Sequence, residues 1–364
     1  MIAIVTFDVF NRRVSRLQSS CLMFGNYKCE TYIFAHFIEI FASIGNRLFA
    51  SKRKKLYLCA RKYELMKNAS LIIIMLAVVL NVTAKRLNYT NAIVQKIADL
   101  QGVPKQSYQG MAIWEDYLVS LQNTGQATVY RLCPDSLQVL CRFPLASQMS
   151  QNHANVAFFG KERYDKKDEF PLLYVSQCSK QRYNDMKDVC FVERISLTAA
   201  PELVQTIVLD DDEGLFGYAL QWMIDRKRNL LIGYGNTIEN MGEGNRWRTM
   251  VFPMPKFSDG PIVHLQPKDA LENYCIQDLD PRFPSNHIGQ GACVIKDQMF
   301  IPVGLGTEKH PSILYIWNLR KKQLDQILNF QSQVPHEFED CEPFGCDLIM
   351  QTNGGGLIRF TPNK

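Results

Sequence analysis

The sequence has no hydrophobic run approaching the roughly 20 residues that a membrane-spanning helix needs; its longest, Leu71–Leu80, stops at ten. It also lacks a CxxC…CxxC pair, a GxSxG elbow, a Walker-type phosphate loop and an HExxH pair. Those absences exclude a structural zinc knuckle, an α/β-hydrolase nucleophile, a P-loop nucleotide site and a zincin centre. Charge is sparse at 21% of residues, and amphipathic helical periodicity is almost missing beyond residue 85.

What is present begins with that ten-residue apolar run. Met66-Lys67-Asn68 precedes it and Val82-Thr83-Ala84 follows it, a basic start, an apolar centre and a small-residue cleavage site, as in a secretory signal peptide. This reading divides the chain into a leader over 1–65, which is an over-extended start or a cytoplasmic piece, a signal peptide over 66–84, and a mature domain over 85–364. A second reading keeps Met1 and uses Lys52-Arg53-Lys54-Lys55 as the positive-inside flank of a signal anchor. Of the 41 basic and 36 acidic residues, 12 and 4 precede Lys85, so the mature part carries 29 basic against 32 acidic residues. The formal charge of +5 therefore describes the leader, and the domain offers no basic face for nucleic acid. The expected location is periplasmic or extracellular, with no stable membrane insertion after cleavage.

Eight of the 11 cysteines lie in the mature part, which suits an oxidising compartment. Cys133 with Cys141, Cys178 with Cys190, and Cys341 with Cys346 are the pairs that local spacing suggests; unpaired buried thiols are the alternative. Asn88-Tyr89-Thr90 is a glycosylation sequon.

The mature part reads as short β-rich runs between turn signals, an all-β pattern that repeats in fours. The units run over 110–143, 154–209, 218–265 and 291–330, each with four strands, and a fifth over 338–360 has only three. Residues 92–98 supply the missing strand from the other end. This is the arithmetic of a five-bladed β-propeller closed by an N-terminal strand, in which closure removes exposed sheet edges. Long insertions at 161–170, 237–245 and 266–286 make the spacing uneven and leave six blades open.

In a propeller the first strand of each blade lines the axis, and the loop leading into it lies on the rim. The residues there are Gln109, His153 with Asn155, Gln221, His287 with Gln290, and His336 with Glu339 and Asp340. Superposing the fourth and fifth units places His287 over His336, Gln290 over Glu339 and Gly291 over Asp340. Glu339 and His336 are the candidate catalytic pair, a carboxylate beside a histidine suiting general-base work. Gln109, His153, Asn155, Gln221, His287, Gln290 and Asp340 are the candidate ligand-binding residues. Imidazole and carboxylate together also suit a divalent metal. The same side chains equally suit the plainer duty of satisfying buried backbone groups. Asp210–Glu213 and Gly354–Gly356 read as turns rather than as calcium or phosphate sites.

Tyr108-Gln-Gly-Met111 followed by Leu121-Gln-Asn-Thr-Gly125 is similar to a T-Q-G-L…S-T-G pattern of the propeller-type glutaminyl cyclotransferases, with Asn123 in place of the serine. The mature chain resembles the broad class of exported propellers that contains those enzymes and the SMP-30-like lactonases. The resemblance implies Glu339 as the candidate acid, and Glu339, Asp340 and Asn155 as residue types suited to a lactonase-like metal. The expected function is binding of a small polar molecule, a glycan or a peptide at the axial rim. The alternatives are an enzyme of the same shape, a cyclotransferase or metal-dependent hydrolase, and a protein-interaction scaffold.

Overall fold

The computed structural model describes residues 87–133, 136–150, 152–178, 182–238, 242–285 and 287–363. The segment read as leader and signal peptide, and the boundary at Lys85, lie outside the described residues. Among the described residues no helix is long and apolar enough to cross a membrane.

Five antiparallel sheets make the five blades. Blade 1 is β2 (Tyr108–Trp114), β3 (Tyr117–Gln122), β4 (Gln126–Cys133) and β5 (Ser136–Pro144). Blade 2 is β6 (Val156–Phe159), β7 (Leu173–Ser176), β8 (Cys190–Arg194) and β9 (Glu202–Leu209). Blade 3 is β10 (Tyr218–Asp225), β11 (Leu230–Asn236), β12 (Trp247–Pro253) and β14 (Glu272–Cys275). Blade 4 is β15 (Cys293–Ile295), β16 (Gln298–Val303), β17 (Ile313–Asn318) and β18 (Gln323–Asn329). Blade 5 is β19 (Phe338–Phe344), β20 (Asp347–Thr352) and β21 (Gly356–Asn363), completed by β1 (Asn88–Asp99) from the N-terminal side. β1 runs antiparallel to β21, Val94 opposite Phe360 and Gln95 opposite Arg359, so the ends of the domain share one sheet.

The inner and middle strands are buried on both faces. β6 and β16 have no exposed residue, whereas the outer strand β5 alternates. Each blade packs against a neighbour on either side, so its central strands read as continuous apolar runs rather than alternating ones. Trp222, Trp247 and Trp317 are fully buried in these interblade layers, and Trp114 packs against one from a half-buried position.

One strand assignment is corrected. The fourth strand of blade 3 is not the run 261–265 but β14, inside the segment read as insertion. Residues 262–265 form β13 (Ile262–Leu265), which crosses to blade 2 and pairs parallel with β9, Ile262 opposite Thr206. A β-rich pentamer of residues fits any free sheet edge, and here the edge it covers belongs to the previous blade.

The eight cysteines from Cys133 to Cys346 are free thiols. Cys133 lies opposite Ser136, Cys141 opposite Val129 and Cys190 opposite Ser176, so the hairpin and loop pairings suggested by spacing are not cross-strand partners. The acidic run is a turn: the Asp211 carboxylate accepts from the amides of Leu215 and Phe216, and Asp210 accepts from His264 and Gln266. Gly355, at φ +87°, closes the hairpin into β21 by donating to Thr352 O.

Candidate functional site at the axial rim

The hairpins that follow the inner strands fix the register between blades. Trp114 pairs with Tyr117, Ile295 with Gln298, and Phe344 with Asp347. Counting back five residues from each makes Gln109, Gln290 and Glu339 equivalent, and the next step makes Gly110, Gly291 and Asp340 equivalent. The inner strands of blades 1, 3 and 5 share a second feature. Each breaks register at its rim end, between Tyr108 and Met111, Tyr218 and Gln221, and Phe338 and Asp340. Such bulges re-aim side chains that a regular strand would send to opposite faces. In β19 the result is that two successive carboxylates, Glu339 and Asp340, are both buried, at 1% and 0% exposure.

The two carboxylates do different work. Asp340 Oδ2 accepts from the amides of Met111 at 2.8 Å and Ala157 at 3.1 Å, and Oδ1 accepts from Cys341 N at 2.8 Å. It ties the inner strand of blade 5 to those of blades 1 and 2. Burial pushes its pKa well above the ordinary value, while the three amides pull the other way. Glu339 instead looks toward the rim, where Asn353 Nδ2 donates to its Oε1 at 2.7 Å. Burial, reinforced by nearby Glu337, raises its pKa well above the ordinary carboxyl value against the pull of the Asn353 bond. Glu337 stands half-buried at the mouth, its pKa also raised by burial, and accepts from Gln290 Nε2 at 2.8 Å.

Across the axis, the carbonyls of Gln109 and Gly110 in the blade 1 bulge accept from Gln351 Nε2, whose amide oxygen takes Ser120 Oγ at 2.8 Å. Gly110 N donates to Ala154 O at 2.7 Å, and a Cβ on Gly110 would lie 3.0 Å from Ala157 N. Only glycine permits so close an approach of two inner strands. Around this junction several amide oxygens are buried without a hydrogen-bond partner: Oε1 of Gln109 and Oδ1 of Asn123, Asn152 and Asn155. Asn123 joins the loops concerned, its N–H donating to Ser107 O and its carbonyl accepting from His153 N. Gln221 is likewise buried with an unpartnered Oε1. Buried acceptors left unpaired are uncommon and costly, so each of these oxygens calls for a donor beyond the protein's own groups, solvent included.

The three histidines occupy three separate environments. His153, at φ +56°, and His336 are exposed. The His336 backbone is clamped by Ser312 Oγ, which donates to its carbonyl at 2.6 Å. His287 is buried in an aromatic nest, stacked on Trp247 at 4.3 Å and edge-on to Phe283 at 4.8 Å. Its Nδ1 donates to Pro284 O at 2.7 Å, which leaves Nε2 as the acceptor facing Tyr234 OH at 3.5 Å. Among the described residues no group of three or more His, Cys, Asp or Glu is placed to hold a metal. Burial lowers the His287 pKa to about 3, so its ring signals stay those of neutral imidazole from pH 8 to pH 5 in an NMR titration. A transition near pH 6 would contradict the nest.

Asn123, Asn152, Asn353 and, at the far end of the inner strands, Glu342 were not among the candidate site residues read from the sequence. Asn123 and Asn152 lie in rim turns whose positions only the fold reveals. Glu342 had a signal, since an inner strand with three acids between Phe338 and Phe344 cannot send all of them to water. It meets Arg226 of blade 3 at 3.1 Å beside an axial recess of about 10 Å³, room for one water.

The sequence matches no family model, and no curated protein matches it significantly. Solved structures do. A glutaminyl cyclase from Myxococcus xanthus is 10% identical over 75% of this chain and 98% of its own, with a TM-score of 0.43. A putative oxidoreductase (glucose dehydrogenase) from Thermus thermophilus is 10% identical over 74% and 100%, with a TM-score of 0.42. The WD40 propeller domain of Doa1 is 9% identical over 74% and 98%, with a TM-score of 0.37. The likeness is one of fold. Fold alone carries no activity.

Proposed function

We propose that the protein is an exported propeller that binds a small, uncharged molecule rich in hydroxyl or amide N–H groups at the axial rim. One observation carries the reading: the unpartnered amide oxygens of Gln109, Asn123, Asn152 and Asn155 gather where blades 1 and 2 meet. Acceptors in that number call for a donor-rich ligand, such as a sugar or a peptide amide. His153 and His336, exposed at the same end, are available to the outer part of a ligand, whereas Gln290 and Gln221 are buried. The protein's compartment follows from the Met66–Ala84 segment and is part of the proposal.

The test is thermal unfolding with glucose, N-acetylglucosamine and glutaminyl-glycine as separate probes. A ligand that binds only the folded state raises the transition by mass action. At least one probe is expected to raise Tm, and Asn155→Ala together with Gln109→Ala to abolish the rise. No rise with any probe, in a protein whose melting is otherwise cooperative, counts against a donor-rich ligand.

A second reading has its own observation. Burial raises the Glu339 pKa well above the ordinary carboxyl value, the direction a general acid requires. In a cyclotransferase reaction it would protonate the leaving amine as ammonia. Ammonia release from glutaminyl-glycine that disappears in Glu339→Gln supports this reading, whereas binding without turnover leaves the protein a receptor.

A further inference from the structure

The inner strands of blades 4 and 5 bring together Cys293 and Cys341, a pair outside the rim site and different from the Cys341–Cys346 pairing that spacing suggests. Cys293 begins β15 and Cys341 lies in β19; their sulfurs are 3.3 Å apart, and the residues are 5% and 1% exposed. The backbones that bear them are held together independently. Gly291 N donates to Glu339 O at 2.7 Å, and a Cβ on Gly291 would sit 2.7 Å from that same oxygen. The two strands therefore meet at a fixed, close distance. Neither sulfur has a strong competing partner, the remaining contact being Cys341 Sγ to Phe300 O at 3.7 Å. A disulfide bond of about 2.05 Å asks the two side chains to close by a little over an ångström between them.

We propose that Cys293 and Cys341 form an interblade disulfide when the chain folds in the presence of a low-molecular-weight disulfide oxidant. The Cys293 thiolate attacks one sulfur of the oxidant, forming a mixed disulfide and expelling one small thiol. The Cys341 thiolate then displaces the second small thiol. The protein gives up two electrons and two protons, and the oxidant is reduced to two thiols. The bond spans a separation of 48 positions along the chain and fastens blade 4 to the blade that β1 closes. Loop closure of that length constrains the unfolded chain and raises stability. Burial raises the pKa of both thiols, so few thiolates form once the blades have closed. Oxidation belongs to the folding chain, and reduction of the finished protein is slow for want of access.

The experiment uses the full chain held in urea within its unfolding transition, so that blades open and reclose, with oxidised and reduced glutathione in one sample and dithiothreitol in another. Both are then alkylated under denaturing conditions, digested and mapped by mass spectrometry without reduction. The expected result is a linked peptide joining Cys293 to Cys341, two fewer alkylated thiols, and a Tm higher than that of the reduced sample by roughly 5 °C or more. Cys293→Ala is expected to lose the Tm difference between the two samples, and Cys133→Ala to keep it. Full alkylation of both cysteines after the glutathione treatment, or their linkage to other cysteines instead, overturns the proposal. A Cys293→Ala chain that retains the Tm difference overturns it as well.

Discussion

Asp340→Ala is expected to destabilise the propeller by about 4 kcal/mol, read as a lower urea midpoint with an unchanged slope. The carboxylate accepts from Met111 N, Ala157 N and Cys341 N, on three strands that belong to three blades for the first two and its own. Alanine leaves three buried amides without acceptors, each costing about 1–3 kcal/mol when unsatisfied, though not additively. Asp340→Asn separates charge from hydrogen bonding. It keeps one acceptor oxygen and turns an N–H₂ toward amides that need an oxygen, so its cost falls between that of alanine and zero, about 1–2 kcal/mol. An alanine variant within 1 kcal/mol of the parent would mean that the axis is held by interblade apolar packing alone.

Arg226→Met is expected to cost about 3 kcal/mol at pH 8 and about 1 kcal/mol at pH 5. Arg226 pairs with Glu342 at 3.1 Å and donates to Phe159 O at 2.8 Å, joining blades 3, 5 and 2 beside the axial recess. Burial raises the Glu342 pKa to about 7 against the pull of Arg226. The folded state therefore keeps this proton to about pH 7, whereas the unfolded chain releases it near 4.5. The stability this group contributes is complete below pH 4.5 and is lost as pH rises through 7, a span worth about 3 kcal/mol. At pH 8 the variant strands an ionised carboxylate with no counter-charge. At pH 5 the carboxyl is neutral in both proteins, and what is missing is the bond to Phe159 together with neutral hydrogen bonds to Glu342. Urea unfolding at the two pH values checks this, and a cost independent of pH would mean that Glu342 does not change charge between them.

The blade count was readable because each four-strand unit carries its own turns. The three-strand remainder at 338–360 needed a partner strand that only the segment near Ile93 and Val94 could supply. The swap of β13 onto blade 2 was not readable, since Ile262-Val263-His264-Leu265 suits any free edge and the choice is made by where the chain happens to pass. At the rim the hairpin turns of blades 4 and 5 keep the spacing that sets Gln290 over Glu339 and Gly291 over Asp340, whereas the equivalence of Gln109 came only with the structure. Spacing did not foresee that bulges would turn Glu339 and Asp340 inward together. Nor did equivalence of position give equivalence of environment. His287 is sealed by Trp247, Phe283 and Tyr315 in the layer between blades 3 and 4, whereas His336, at the matching position in blade 5, meets no such nest and stays exposed. A histidine's surroundings come from long-range packing, which spacing does not encode.

The rim as a ligand site requires Glu339, which borders it, to be kept for a ligand and not for the fold. The most direct measurement is the intrinsic stability of Glu339→Gln by thermal and urea unfolding without any ligand. Glutamine is the same shape as the protonated acid, and its Oε1 still accepts from Asn353, so the account predicts a Tm and urea midpoint within error of the parent or above it, the response to the binding probe alone being altered. A loss of more than about 2 kcal/mol would contradict it, because it would show the Glu339 proton or charge to be part of what holds the blades together.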